Sequence, residues 1–232
     1  MKCLILAGGF ATRLYPLTLN KAKALLEYKG KPIIDYVVSA VPQNINIMVN
    51  TNKKFESDFH QWQRGLNREV EILVEEISTE QQKLGAVGSL NFWIKDKSIN
   101  EDLLVIAGDN YFEFNLAQFI ARYDGKHTLV AVYDIGDKNK ATQFGVVQLD
   151  KHRIVKFQEK PSKPESSLIA TACYIFPQRI FHYIHQYCQQ GKRDNLGSLI
   201  AYLVDQEEVH AYAFTEPWVD IGSAEDLLTG SD

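Results

Sequence analysis

The chain has 232 residues, 45% apolar and 23% charged, with a net charge of −4. That is the balance of a soluble protein long enough to bury a sizeable core, and it excludes a nucleic-acid binder driven by overall positive field. Three scattered cysteines, Cys3, Cys173 and Cys188, predict reduced thiols in a cytoplasmic protein.

No CxxC or His/Cys cluster suggests a zinc site, and the six histidines show no paired spacing and receive no role. The first apolar run is interrupted by Gly8-Gly9 and Arg13, so neither a signal peptide nor a membrane span is expected.

Apolar runs at 2–7, 45–51, 70–75, 103–107 and 128–133 predict strands buried on both faces. Between them lie helical patterns. Pro32 suits a first helical position, with Ile33, Val37 and Val41 on one face. Phe55, Phe59 and Trp62 recur at helical spacing, and further patterns cover 85–95 and 115–123. The alternation predicts an α/β fold: a mostly parallel, Rossmann-like, three-layer sheet.

The second half predicts an antiparallel insertion. Segments 144–149 and 154–158 form a hairpin around Asp150-Lys151-His152-Arg153. Then follow a strand at 168–176, helices at 178–187 and 196–204, and a strand at 209–214. Trp218-Val219-Asp220-Ile221 leads to Ser223, an expected N-cap with Asp226 as its partner. No linker or repeat divides the chain. One domain is expected, in two halves at roughly 1–135 and 136–232.

Gly8-Gly9 follows the first strand, where open α/β sheets bind ligands. Glycines there admit a phosphate or base against bare N–H groups, or simply make a tight turn. Arg13 supplies a bidentate fork, Lys23 a point charge and Thr12 a further donor. The pattern GGxxTR is neither the dinucleotide fingerprint nor a Walker loop. Asp109, in VIAGDN, is placed to hold Mg²⁺ or to cap the next turn. Asp220, in WVDIG, likewise ends a short strand, so two carboxylates could share one hard cation.

Glu159-Lys160-Pro161 could bind phosphate and hydroxyls or form an exposed ion-paired turn. Gln81, Gln82 and the small residues of Leu84-Gly85-Ala86-Val87-Gly88 could admit a base or phosphate, or serve as loop and packing contact.

Together these pieces resemble the sugar-1-phosphate nucleotidyltransferases, with the glucose-1-phosphate thymidylyltransferase and uridylyltransferase branch looking closest. LAGGFATRLYPLT is similar to the nucleotide-binding signature, KAKALLEYKGKPIIDY to KPKxLLPVxGKPxIxY, and LGAVGSL to LGTAGAL. VIAGDN resembles the metal-bearing GD turn, FGVVQLD…IVKFQEKP the sugar-side hairpin, and WVDIGSAEDLL the terminal W.DIGTPEDYL.

The resemblance implies a glycosyltransferase-A-like nucleotidyltransferase fold and Mg²⁺-dependent transfer from dTTP or UTP to glucose 1-phosphate, releasing pyrophosphate. It implies catalytic Arg13 and Lys23, metal ligands Asp109 and Asp220, and nucleotide contacts at Leu6, Ala7, Gly8, Gly9, Gln81, Gln82, Gly85 and Gly88. Gly145, Glu159, Lys160 and Thr171 would hold the sugar phosphate.

The chain departs from the family pattern at Ala22, at Glu27, and at Cys173, whose side chain is expected to narrow the sugar pocket. It ends soon after the DIG segment, so the β-helix of some relatives is expected to be missing. The other readings are a phosphocholine-type enzyme, a mannose, heptose or N-acetylmuramate phosphate enzyme, and a non-catalytic nucleotide-sugar sensor. The oligomeric state stays open, a homodimer included.

Overall fold

The structure, a computed structural model, describes residues 1–222 and 224–228. In chain order its elements are β1 (Lys2–Leu6), β2 (Glu27–Tyr28), β3 (Lys31–Pro32), α1 (Ile33–Ala40), β4 (Ile47–Asn52), α2 (Glu56–Arg64) and β5 (Val70–Glu75). Next come α3 (Ala86–Asp96), β6 (Leu103–Ala107), β7 (Asn110–Phe112), α4 (Leu116–Ala121), β8 (Thr128–Asp134), β9 (Gly145–Asp150) and β10 (Arg153–Glu159). The chain finishes with β11 (Leu168–Phe176), α5 (Phe181–Gln189), α6 (Leu196–Gln206), β12 (Val209–Phe214), β13 (Trp218–Asp220) and α7 (Ala224–Leu228).

Nine strands form one sheet in the order β5-β4-β1-β6-β11-β8-β12-β10-β9. The first four are mutually parallel. β11 then runs antiparallel between β6 and β8, and the β9–β10 hairpin closes the second edge. The sheet is therefore mixed beyond β6, and both halves of the chain contribute to it.

Alternate residues serve opposite faces, as the two-residue strand period requires. Cys3, Ile5, Ile47 and Val49 pack with α1, α2 and α4, while Leu4, Met48, Leu73 and Val105 pack with α3, α5 and α6. Leu4, Ile5 and Leu103–Ile106 are fully buried, each such side chain contributing about 1.5–3 kcal/mol. This is the three-layer arrangement expected, and among the described residues no helix is long and apolar enough to cross a membrane.

Several boundaries shift for local reasons. Pro32 lies in β3, paired with Glu27, and helix α1 starts one residue later at Ile33. Asn115 stands outside α4 as its cap, its Oδ1 accepting from the amides of Ala117 and Gln118. The helix expected from 178 begins as a 3₁₀ turn, Gln178–Ile180, before α5. The short strands β2, β3 and β7 carry no periodic signal that would reveal them. The N-cap expected at Ser223 lies outside the described residues, but Asp226 does accept a hydrogen bond from the Gly222 amide at 2.9 Å.

Arg68, between α2 and β5, ties that connection to the end of α1. Its guanidinium donates to the carbonyls of Val38 (3.2 Å), Pro42 (2.6 Å) and Ile45 (2.7 Å), and to that of Val41. Val38 lies in the last turn of α1 and the other three acceptors follow its end, where carbonyls lack intrahelical partners. Arg68→Met is expected to lower unfolding stability by about 2–3 kcal/mol, measured by denaturant titration. An unchanged midpoint would contradict this role.

Candidate active site

β1 and β6 pair in parallel with Leu6 opposite Ala107, so their carboxyl ends finish side by side. A cleft of about 630 Å³ opens above them. Leu6, Ala7, Gly8, Gly9 and Arg13 line it together with Lys23, Gly85, Asp109, Lys160 and Asp220. Residues from every part of the chain thus meet at one sheet edge.

The loop after β1 is held from below. The Ala7 amide donates to Asn50 Oδ1 at 2.8 Å, and Asn52 Nδ2 donates to the Gly8 carbonyl at 2.9 Å. Asn50 Nδ2 in turn donates to Glu75 Oε1 at 2.7 Å. A Cβ at position 8 would lie 2.8 Å from Asn50 Nδ2, so this glycine is required by the side chain beneath it. At Gly9 a Cβ would meet nothing within 4 Å. Asn50 thus accounts for the glycine at position 8, which also lines the cleft. Ala11 adopts a left-handed conformation (φ 48°), braced by the buried Thr18 hydroxyl donating to its carbonyl at 2.7 Å. The following turn, Thr12–Leu14, presents Arg13, which is exposed.

The two aspartates are brought together by strand pairing. β7 and β13 are antiparallel, with Asp220 opposite Asn110, which sets Asp109 and Asp220 at one corner of the cleft. Lys23 Nζ lies 2.7 Å from Asp109 Oδ2 and 4.0 Å from Asp220 Oδ1. Enclosure in the cleft, then the neighbouring Asp109 charge, push Asp220 up to about 6, partly offset by Lys23. Two facing carboxylates and one ammonium leave net negative charge. Such an all-oxygen donor set suits a hard divalent cation.

Of the residues expected to hold a sugar phosphate, Lys160 lines the cleft, whereas Gly145, Glu159 and Thr171 do not. Gly145 pairs with Glu159 across the hairpin, and a Cβ there would strike the Phe157 ring at 2.3 Å, so packing explains this glycine. Glu159 turns toward the first turn of α6, where a Cβ on Gly197 would lie 1.8 Å from its Oε2. Burial raises the Glu159 pKa, opposed by the Lys160 charge. Thr171 is buried in a bulge of β11; its hydroxyl donates to the Ala131 carbonyl, and its own carbonyl accepts from Asn110 Nδ2 at 2.6 Å. Bulges commonly sit beside sites, where they re-aim the strand. Cys173 points into the core with Cys3 and Ile106, so it does not narrow the pocket as expected.

Gln81, Gln82 and Gly88 do not line the cleft. The glutamines occupy an exposed 3₁₀ turn, with Gln82 Oε1 accepting from the Ser78 amide. Gly88 borders a neighbouring groove with Leu84, Cys188 and Arg193. The open helix start expected there is already occupied: the Ala86 amide donates to Asp194 O (2.8 Å), and those of Val87 and Gly88 to Arg193 O (3.0 and 3.1 Å). Sequence reading missed Asn50, Asn52, Glu75 and Gly197. The polar run Asn50-Thr51-Asn52 closing an apolar strand was the available signal for the first two.

A family model described as nucleotidyl transferase matches residues 2–232. A Sulfolobus acidocaldarius protein provisionally named as a mannose-1-phosphate guanyltransferase is 29% identical over 98% of this chain and 61% of its own length. The bifunctional protein GlmU of Methanocaldococcus jannaschii is 32% identical over 98% of this chain and 53% of its own. This chain therefore spans between half and two thirds of those curated relatives. A crystal structure of a Bacillus anthracis protein, provisionally named as a glucose-1-phosphate thymidylyltransferase, superposes with a TM-score of 0.86 at 24% identity, covering 99% of this chain and 93% of that one. That likeness bears on the fold.

Glu75 is a buried carboxyl whose acceptors serve Asn50 and, at 3.3 Å, Trp93 Nε1. Burial raises its pKa, with bonds from Ser89, Asn50 and Trp93 opposing. An acid raised in the native state contributes stability below its unfolded pKa, and that stability is lost as pH rises through the native value. Glu75→Gln, which keeps an acceptor for Asn50, is expected to melt at or above the wild type at neutral pH. It should also flatten the decline in stability as pH rises from the usual carboxylate range. Thermal melts across pH check this; a variant that melts lower with an unchanged pH profile would contradict it.

Proposed function

We propose that this chain, which belongs to the nucleotidyl transferase family, transfers a nucleotidyl group from a nucleoside triphosphate to a sugar 1-phosphate. An oxygen of the sugar phosphate attacks the α-phosphorus, the bond from that phosphorus to the bridging oxygen breaks, and pyrophosphate leaves with the electron pair. No covalent enzyme intermediate is required, so catalysis is mainly positioning and charge stabilisation. The observation that carries the reading is the convergence of Asp109, Asp220 and Lys23 on the rim that also bears the Gly9 and Arg13 loop.

In this reading Gly9 gives the triphosphate access to bare backbone, Arg13 grips phosphate oxygens, and Lys23 balances charge at the reacting phosphate. Asp109 and Asp220 would hold Mg²⁺, which when bound offsets phosphate charge. Lys160, exposed in the cleft lining, would meet the sugar phosphate, with Glu159 beside it in sequence. The finer pairing proposed is dTTP or UTP with glucose 1-phosphate, on the likeness of the motifs to that branch. A second pairing, GTP with mannose 1-phosphate, draws on the names of relatives such as the Sulfolobus acidocaldarius protein.

The test is pyrophosphate release from a panel of triphosphates and sugar phosphates with Mg²⁺. Turnover with at least one pair supports the reading; a folded sample inactive with all of them, yet binding nucleotide sugars tightly, would favour a sensor. Asp109→Asn and Asp220→Asn are each expected to lower turnover by roughly a hundredfold or more, because a metal supplies several kcal/mol of charge stabilisation. Their circular dichroism should stay as in the wild type. Full Mg²⁺-dependent activity in both variants would refute the metal assignment.

Lys160→Ala is expected to weaken sugar-phosphate binding about tenfold, the loss of a charge-assisted bond worth ~1.5 kcal/mol, and to leave triphosphate binding nearly unchanged. Calorimetric titration with each substrate distinguishes this from equal weakening of both, which would reject the division of labour.

A further inference from the structure

Three of the six histidines converge at the sheet edge opposite the cleft, although their sequence spacing gives no sign of it. His127 immediately precedes β8, and His210 lies near the start of its parallel neighbour β12. His152 occupies the turn between β9 and β10. The rings of His127 and His152 lie 4.5 and 4.6 Å from that of His210. Two carboxylates complete the cluster. Asp124 Oδ2 is 2.6 Å from His127 Nδ1 and 3.7 Å from His210 Nδ1, and Glu208 Oε1 is 2.7 Å from His210 Nε2.

We propose that Asp124, His127 and His210 form a zinc site distinct from the catalytic cleft. The ligand atoms of these three residues all lie within 4.8 Å of one another. His152, Glu208 and His210 form an overlapping set of the same size, and His210 cannot bind one ion through both ring nitrogens at once. Second-sphere chemistry selects between them. With Nδ1 on the metal, Nε2–H of His210 donates to Glu208 at 2.7 Å, the carboxylate–histidine–metal relay that fixes ring orientation and raises ligand basicity. A neutral imidazole has one N–H, so without a proton or cation at Nδ1 one nitrogen of His210 would present a lone pair to a carboxylate.

The site is also braced. Asp124 Oδ1 accepts from the amides of Lys126 (2.9 Å) and His127 (2.8 Å), leaving Oδ2 directed at the two rings. The side chains of His127 and His210 are only 17% and 14% exposed. The guanidinium of Arg179, which donates to the Lys126 carbonyl, is paired with Glu207 at 2.7 Å, and Arg153 stands opposite His210 across the β10–β12 pair, its charge acting on Glu208. Two imidazole nitrogens and one carboxylate suit Zn²⁺ in preference to Mg²⁺, with a fourth position left for water. The ion would fasten the turn before β8 to β12.

The test uses the whole chain stripped with chelator, then dialysed against Zn²⁺ or Co²⁺ in excess Mg²⁺, which keeps the hard-oxygen site filled. About one equivalent of metal should bind, Co²⁺ giving the intense visible bands of a four-coordinate nitrogen and oxygen site. Zn²⁺ should raise the melting temperature, since a ligand of the native state stabilises it. Loss of one ligand in His127→Gln or His210→Gln should weaken binding by at least about tenfold, while Asp109→Asn combined with Asp220→Asn should leave it intact.

Asp124→Asn keeps an oxygen for the turn amides while removing the anionic ligand, so it reports even if a histidine variant fails to fold. Absence of bound Zn²⁺ and Co²⁺ at micromolar metal would overturn the proposal. So would bound metal that follows the cleft aspartates and ignores the histidines.

Discussion

The short antiparallel contact between β7 and β13 is the constraint on which the site depends. Each strand has only three residues, yet their register puts Asp220 beside the segment that carries Asp109. Like charges held so close require a positive neighbour, and Lys23 supplies it, its Nζ 2.7 Å from Asp109 Oδ2. Enclosure in the cleft, and after it the Asp109 charge, raise the Asp220 pKa. Three distant stretches of chain thus share one problem of charge, and a cation bound there would relieve it.

A second layer of polar groups holds the loop that faces this corner. Asn50 and Asn52 end β4, and Glu75 ends β5, so all three lie at the carboxyl edge of the sheet. They are buried, and each is hydrogen-bonded. Buried polar groups of this kind tolerate few alternatives, because an unpaired partner costs about 1–3 kcal/mol. Their hydrogen bonds reach Ala7 and Gly8, which lead into the turn bearing Arg13. The carbonyls of residues 193 and 194 occupy the first amides of α3. In the loop after β1, by contrast, Gly9 faces open space, which is the ground for proposing that the triphosphate lies there.

The long buried strands were legible because their apolar runs have no polar face to confuse them; β1, β5, β6 and β11 emerge within a residue of expectation. The convergence of Arg13, Lys23, Asp109 and Asp220 in one cleft was legible through the family motifs that carry them and not through strand pattern: Asp109 follows a strand of the main sheet, whereas Lys23 precedes β2 and Asp220 ends β13, which belong to separate two-stranded sheets. Other features were hidden for physical reasons. The reversal of β11 depends on pairing partners that local pattern does not encode. The need for glycine at positions 8 and 145 comes from Asn50 and Phe157, which touch them only in the folded chain. The histidine cluster arises because β8 and β12 lie side by side. Gln81 and Gln82, suggested by resemblance, sit on an exposed turn whose hydrogen bonds are local.

Anomalous diffraction from crystals soaked with Mn²⁺ and a nucleoside triphosphate measures the central claim most directly, because Mn²⁺ replaces Mg²⁺ at oxygen sites and reports its own position. The account predicts an Mn²⁺ peak coordinated by both Asp109 and Asp220, with the phosphates lying between it and the loop of Gly9 and Arg13. Nucleotide bound in the groove beside Gly88 and Cys188, or Mn²⁺ in the cleft touching neither aspartate, would contradict it.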